Sequence, residues 1–165
     1  MRKAIFAGSF DPFTLGHNDI VAQAAEVFDH LIIAVGKSGS KTPLFSAEER
    51  VEIIQDLFKG QKNIEVKSFD GLVVNFARNE GAHCLVRGLR TEADFSYEMP
   101  MAMTNHKIAP EVKTVFFPTK SQFAYVSSSL VKELCLHGGD VEPFVPGGVL
   151  KRLSQKVLQH QADGQ

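Results

Sequence analysis

The sequence predicts an α/β fold: one doubly wound domain over residues 1–165, built on a five-stranded parallel sheet and finished by a C-terminal helical segment. Three observations carry this prediction. Short apolar runs alternate along the chain with stretches of helical periodicity, the order that successive β-α-β units produce. The strongest run, His30-Leu-Ile-Ile-Ala-Val35, is apolar without alternation, as a strand covered on both faces must be. The residues suited to binding anions fall where a strand gives way to a helix, the edge at which such sheets receive ligands.

The elements follow in order. Lys3-Ala-Ile-Phe-Ala7 has the length and side chains of a buried strand, and Ile20, Val21, Ala24, Val27 and Phe28 recur after it at helical spacing. Between them lies Gly8-Ser-Phe-Asp-Pro-Phe-Thr-Leu-Gly-His17, a loop rich in Gly and Pro. The free N–H groups of a first helical turn and the positive end of its dipole favour an anion there. The loop has neither the Gly-x-Gly-x-x-Gly of a dinucleotide site nor the Gly-Lys-Ser/Thr of a P-loop. It has instead Thr14 three residues before His17.

After His30–Val35, the stretch Gly36-Lys-Ser-Gly-Ser-Lys-Thr-Pro43 has the composition of a mobile polar loop and carries two lysines. Ser46-Ala-Glu-Glu49 is a capping box, and Val51, Ile54, Leu57 and Phe58 mark the buried face of the helix it opens. Ile64–Lys67 is a short third strand, and Leu72–Glu80 a third helix packed through Val73, Phe76 and Ala77. Cys84-Leu-Val86 is the fourth strand, running into Arg87-Gly-Leu-Arg90. Two arginines flanking a glycine at a strand end form a second anion site, since guanidinium forks bind phosphate bidentately and glycine admits close approach.

From Thr91 the chain reads as a helix with Phe95, Met99, Ala102 and Met103 on one face; Pro100 predicts that it kinks or divides. Val112–Phe117 is the fifth strand, ended by Pro118. Phe123–Ser129 then leads into a helix marked by Leu130, Val131, Leu134 and Cys135, which Ser127 or Ser128 can cap; its leading N–H groups make a third anion-facing helix start. Gly138-Gly-Asp ends that helix, Pro143 and Pro146 mark a turn, and Val149, Leu153, Val157 and Leu158 outline a terminal helix. The polar residues Gln159–Gln165 are expected to fray.

Composition narrows the function. With 165 residues, 44% of them apolar, the chain can bury a core without disulfides or metal. A net charge of −1 gives no bulk electrostatic attraction to nucleic acid, and no apolar run approaches a membrane span. The first residues enter a strand without a signal peptide's apolar segment, which points to the cytoplasm. Cys84 and Cys135 have no Cys-x-x-Cys spacing and read as unpaired thiols. His30, His83, His106, His137 and His160 have no context beyond a structural one; His17 does.

Gly8–His17, Arg87-Gly-Leu-Arg-x-x-x-Asp-Phe-x-Tyr-Glu98 and Val126-Ser-Ser-Ser-Leu-Val-Lys132 together resemble, in order and spacing, the phosphopantetheine adenylyltransferases of the nucleotidylyltransferase superfamily. The likeness runs from residue 3 to about residue 155, and the middle motif is the specific one. It implies transfer of AMP from ATP to 4′-phosphopantetheine with Mg2+, giving dephospho-coenzyme A and pyrophosphate, the penultimate step of coenzyme A synthesis. It implies a Rossmann-like nucleotidylyltransferase fold and a homohexamer, a dimer of trimers, with no nucleic-acid or membrane partner.

By position, the resemblance makes His17, Lys41 and Arg87 catalytic and brings Ser9, Phe10 and His17 to the ATP phosphates. It places Gly88, Leu89, Arg90, Glu98, Phe123, Ala124, Tyr125, Val126, Ser127, Ser128 and Ser129 around the nucleotide, and Ser9, Lys41, Val73 and Arg87 on the acceptor. No side chain is assigned to the metal, which is held mainly through ATP phosphates. Ser9 stands where threonine is frequent in the family, Phe123 where tryptophan is, and Val73 where methionine or leucine is; Pro100 is a further departure.

The chemistry suits this inventory. A phosphate monoester has a second pKa of about 6, so near neutrality the acceptor is already a dianionic nucleophile and needs no general base. The work left to the protein is to neutralise two polyanions and hold them in line. The competing readings are a nucleotidylyltransferase with another phosphorylated acceptor and a non-catalytic nucleotide sensor. An oxidoreductase would need the dinucleotide fingerprint that the first loop lacks.

Overall fold

Strands β1 (Lys3–Gly8), β2 (His30–Gly36), β3 (Ile64–Phe69), β4 (Cys84–Leu89) and β5 (Lys113–Pro118) pair in parallel in the order β3-β2-β1-β4-β5. The structure is a computed structural model; it describes residues 2–37 and 43–163, with side chains described as far as Leu158. The chain winds outward from β1 through β2 to β3, then crosses back to lay β4 and β5 on the far side of β1. The direction of winding therefore reverses between β1 and β4, where an open sheet of this kind has its crevice.

The ladder shows the crevice opening. β1 and β4 pair from Ala4↔Cys84 to Phe6↔Val86 and then part, while β4 stays with β5 through Arg87↔Phe116, Gly88↔Phe117 and Leu89↔Pro118. This corrects the expectation that β4 ends at Val86. Pairing with β5 alone keeps Arg87, Gly88 and Leu89 extended, so Arg87 stands on a strand and not on a loop.

Helices α1 (Leu15–Val27), α2 (Ala47–Leu57), α5 (Ser128–Leu136) and α6 (Gly147–Asp163) pack with Phe6, Leu31, Ile33 and Val86 in the larger core. The alternate residues Ile5, Ala7, Ile32, Ala34 and Leu85 form the second core with α3 (Val73–Glu80), and α4 (Glu92–Ile108) lies beside it against β4 and β5. Alternation of side chains across the sheet makes the two cores from the same strands. Leu31 to Val35 are all 0% exposed, which explains the unbroken apolar run.

The helix starts behave as read. Ser46 and Glu49 form the capping box of α2, and the Ser127 hydroxyl caps α5 by accepting from Leu130 N at 3.1 Å. Other expectations need correction. Val27 is 42% and Leu158 67% exposed, because each lies just off the buried stripe of its helix, which Phe28 continues in the first and Val149 and Leu153 form in the second. Helix α4 runs through Pro100 undivided: the missing N–H orphans the carbonyl of Ser96, which sits on an exposed turn where water can satisfy it. Its apolar residues are not core, with Phe95 and Met103 exposed and Glu98 its one buried residue. Helix α6 continues to Asp163, past the point at which fraying was expected to begin.

Candidate active site

The first loop is shaped by one strained residue. Phe10 has φ 51°, in the left-handed region, a cost of roughly 1 kcal/mol for a residue with a side chain. Its ring is 2% exposed and packs on Phe6 and Phe13 with centroids at 5.2 and 5.6 Å, and burying a ring of this size contributes more than the strain costs, about 1.5–3 kcal/mol. Gly8 is required beneath it, since a Cβ there would come within 2.9 Å of the Phe10 ring. Ser9, between the two, is left exposed at the crevice.

Thr14 and His17 then open α1. The Thr14 hydroxyl accepts from His17 N, and the Thr14 N–H donates to His17 Nδ1 at 3.0 Å. A nitrogen that accepts holds no proton, so the neutral ring carries its proton on Nε2. The imidazole is packed against Phe6, Phe10 and Phe13, with centroids 5.0–6.2 Å away. Burial of the ring, and then the positive charges of Arg90 and Arg87, lower its pKa from 6.5 to about 3. His17 is thus a neutral hydrogen-bond donor near pH 7, with the positive charge supplied by its neighbours.

Those neighbours come from β4 and the residue that follows it. Arg87 donates from Nε to Glu98 Oε2 and from Nη1 to the Ala7 carbonyl, both at 2.7 Å, and from Nη2 to Glu98 Oε1. Arg90 forks onto Asp94 at 2.9 and 3.1 Å and donates from Nη1 to the Val126 carbonyl at 3.0 Å. Burial pushes the Asp94 carboxyl up, but the Arg90 hydrogen bonds outweigh it and hold the group below the usual carboxylate range. Gly88 lets β4 approach α1: a Cβ there would meet Ile20 Cγ1 at 2.9 Å.

These groups surround a polar cavity of about 270 Å³. Of the residues singled out in the sequence, Ser9, Phe10, His17, Arg87, Gly88, Arg90, Glu98, Val126, Ser127 and Ser128 line it. A second, more apolar cavity of about 300 Å³ adjoins it, lined by Val73 with Phe69, Leu85, Met101 and Ala102. Ala7, Gly8, Ser9, Arg87 and Glu98 border both, so the Arg87–Glu98 pair stands where the two lobes meet. Ser129 lines a third cavity with Ser9, Lys37, Arg50 and Lys132.

Other singled-out residues stand away from these walls. Leu89 offers its carbonyl to Thr119 N at 2.8 Å, Phe123 is half-buried against Gly16, Ala124 is half-buried with its N–H donating to the Ser121 carbonyl, and Tyr125 is 63% exposed against Phe144. Lys41 lies outside the described residues. Sequence reasoning missed Thr119, Asp94 and Arg50 as members of the site. Asp94 was legible as the i+4 partner of Arg90; buried Arg50, on the polar side of an amphipathic pattern, had no local signal.

Comparison with known proteins fits this geometry. Residues 5–134 match the model of the cytidylyltransferase-like family, a span that contains every residue lining the polar lobe. The phosphopantetheine adenylyltransferases of Lachnoclostridium phytofermentans and Alkaliphilus metalliredigens are each 47% identical to the chain over 156 residues, which is 94% of this chain and 96% and 99% of theirs. The chain belongs to the phosphopantetheine adenylyltransferase family. A further phosphopantetheine adenylyltransferase, from Carboxydothermus hydrogenoformans, is 46% identical over the same length. The fold extends beyond the family: the crystal structure of a Vibrio parahaemolyticus protein provisionally assigned as a nicotinate-nucleotide adenylyltransferase superposes with a TM-score of 0.68 over 95% of both chains at 19% identity.

Proposed function

We propose that this chain transfers AMP from ATP to 4′-phosphopantetheine, releasing pyrophosphate and dephospho-coenzyme A, the penultimate step of coenzyme A synthesis. The observation that carries the reading is the pair of lobes meeting at Arg87. One lobe is polar and ringed by two arginines and the starts of α1 and α5; the other is apolar and suited to an uncharged arm. A nucleotide triphosphate fits the first and the pantetheine arm the second, with the acceptor phosphate at the boundary.

The residues then have distinct tasks. Arg87 has five N–H donors, of which three are engaged by Glu98 and Ala7; the remaining two are left for the acceptor phosphate. Lys41, outside the described residues, is assigned to the same phosphate, and Val73 to the pantetheine arm. Ser9, the backbone of Phe10, Gly88, Arg90 and Ser127–Ser129 hold the nucleotide, Leu89 and Phe123–Val126 back that wall, and Glu98 braces Arg87. An oxygen of the acceptor dianion attacks the α-phosphorus in line, and the bond from that phosphorus to the bridging oxygen breaks, its electron pair leaving with pyrophosphate. No proton moves in this step. The Nε2–H of His17 and the amides at the start of α1 stabilise the charge that gathers on the α-phosphate.

Magnesium belongs to the reading as a companion of the triphosphate. Among the described residues there is no group of three or more His, Cys, Asp or Glu placed to hold a metal, and the cleft carboxylates Asp94 and Glu98 are engaged by arginines. An ion held on phosphate oxygens fits this surface, and when bound it supplies neutralising charge. The exposed Phe95, Tyr97, Met101 and Met103 on α4 support a homo-oligomer, read here as a hexamer built as a dimer of trimers. No helix among the described residues is long and apolar enough to cross a membrane, and the cytoplasm is the compartment assigned.

The test is pyrophosphate release with ATP, Mg2+ and 4′-phosphopantetheine, run beside the same assay with nicotinamide mononucleotide. Release with 4′-phosphopantetheine alone is expected. Release only with the mononucleotide, or with neither while ATP binds, overturns the reading.

A further inference from the structure

Asp19 is a buried carboxylate that the chemistry above does not use. It lies on α1, two residues beyond His17, and its side chain is 2% exposed. Its Oδ2 accepts from the main-chain N–H of Lys120 and from Gln23 Nε2, both at 3.0 Å, and its Oδ1 is 3.1 Å from Lys120 Nζ. Gln23 Nε2 also donates to the Pro118 carbonyl at 3.0 Å. One turn of α1 thus grips the main chain on both sides of Thr119, a residue that lines the polar lobe. The segment's other end is gripped as well, by Arg90 on the Val126 carbonyl.

We propose that Asp19 is a positioning residue for the nucleotide: it ties the segment after β5 to the helix that presents His17, so that two adjoining walls of the polar lobe keep one spacing. The proposal rests on the polar lobe being the ATP site.

The physical argument is one of direction. A carboxylate withdrawn from water costs several kcal/mol unless it is fully hydrogen-bonded, and an apolar side chain would pack helix against loop at lower cost. What apolar packing does not supply is register, because it is non-directional, whereas an N–H donor and its acceptor fix the loop along the helix axis. The ion pair is the lesser part of the grip. Lys120 is 66% exposed and its attraction is screened by solvent, so the main-chain N–H is the tether.

The experiment compares Asp19→Ala, Asp19→Asn, Gln23→Met and Lys120→Ala by steady-state kinetics and by calorimetry with a non-hydrolysable ATP analogue. Asp19→Ala is expected to raise KM for ATP and Kd for the analogue about tenfold, the equivalent of one or two lost hydrogen bonds, with KM for 4′-phosphopantetheine unchanged. Asp19→Asn keeps an acceptor oxygen and should stay within about threefold of the parent, as should Lys120→Ala. Should Asp19→Ala fail to fold, Gln23→Met, which leaves the carboxylate in place, carries the test with a several-fold rise in the same two constants. An equal rise in both KM values, a change in stability with none in ATP affinity, or Asp19→Asn as impaired as Asp19→Ala overturns the proposal. The calorimetry needs no acceptor. A parent protein that binds the analogue without turning over 4′-phosphopantetheine therefore defeats the proposed function and leaves this inference to be judged on Kd alone.

Discussion

Thr14 and His17 cap each other across the first turn of α1, the Thr14 N–H donating to His17 Nδ1 at 3.0 Å and the His17 N–H donating to Thr14 Oγ1 at 3.3 Å. The same contact that starts the helix fixes the tautomer of the ring. The cap of the helix and the Nε2–H donor proposed for the α-phosphate are therefore one arrangement.

Replacing His17 should act on rate far more than on folding. His17→Ala removes a cap, at about 1 kcal/mol, and a preorganised donor to the transition state, which by comparison with oxyanion-hole donors costs roughly 100- to 1000-fold in kcat. Thr14→Ala removes only the hydroxyl half of the cap, and its kcat is expected within about tenfold of the parent. Near-parental turnover in His17→Ala, measured as pyrophosphate release, would remove the ring from the mechanism.

The pH dependence separates stability from rate. The folded-state pKa of His17, about 3, lies below the unfolded value of 6.5, so the unfolded chain binds more protons in between. The contribution of this group is complete above pH 6.5 and declines as pH falls from there towards 3, by at most about 1.4 kcal/mol per unit. Urea titrations of the parent and His17→Asn should show that slope only in the parent. The acid limb of kcat/KM for the acceptor should instead follow the acceptor phosphate, near pH 6, and be the same in both.

Glu98 is spent on Arg87, and its replacement should be felt by the acceptor. Glu98→Gln leaves the shape but weakens the fork that aims the guanidinium, so KM for 4′-phosphopantetheine is expected to rise about tenfold with KM for ATP little changed. In an Arg87→Ala background the same change should add almost nothing, because the two act as a unit. A selective rise in KM for ATP would return Glu98 to the nucleotide.

Arg50, on α2, should be the costliest side chain to lose among those that hold the loops around the cleft. It is 4% exposed and donates to the carbonyls of Phe45 and Ser46 at 3.2 Å and of Gly36 at 3.1 Å, and to that of Ser9, joining the first loop to β2 and to the start of α2. Arg50→Met takes the guanidinium donor from all four carbonyls, of which that of Ser46 keeps the main-chain N–H of residue 50 at 3.0 Å. We expect a loss of at least about 3 kcal/mol in the free energy of unfolding by urea, since hydrogen bonds to a charged group contribute about 1.5–3 kcal/mol each.

Much of the architecture was legible in the residues themselves because it is decided locally. Periodicity separates strand from helix within a few residues, and Thr14, Ser46 and Ser127 announce helix starts by chemistry confined to one turn. The apolar run of β2 declared a strand covered on both faces, and it is. Gly8, His17, Arg87 and Ser127 could be picked out as candidates for anion binding at strand-to-helix junctions, and the sheet order brings those junctions to one crevice.

What only the tertiary structure decided are relationships across the chain, which no local pattern encodes. That Arg87 is braced by Glu98 and Ala7 depends on β4 lying between β1 and α4; that Asp19 holds Lys120 depends on α1 meeting a segment 101 residues away. The length of β4 was set by its partner β5, and the exposure of Phe95 and Met103 by where α4 came to rest. Side-chain type and spacing determine which element forms and what chemistry it can carry. Which groups meet, and which charges are buried and so made strong, is determined by the packing of elements far apart in sequence.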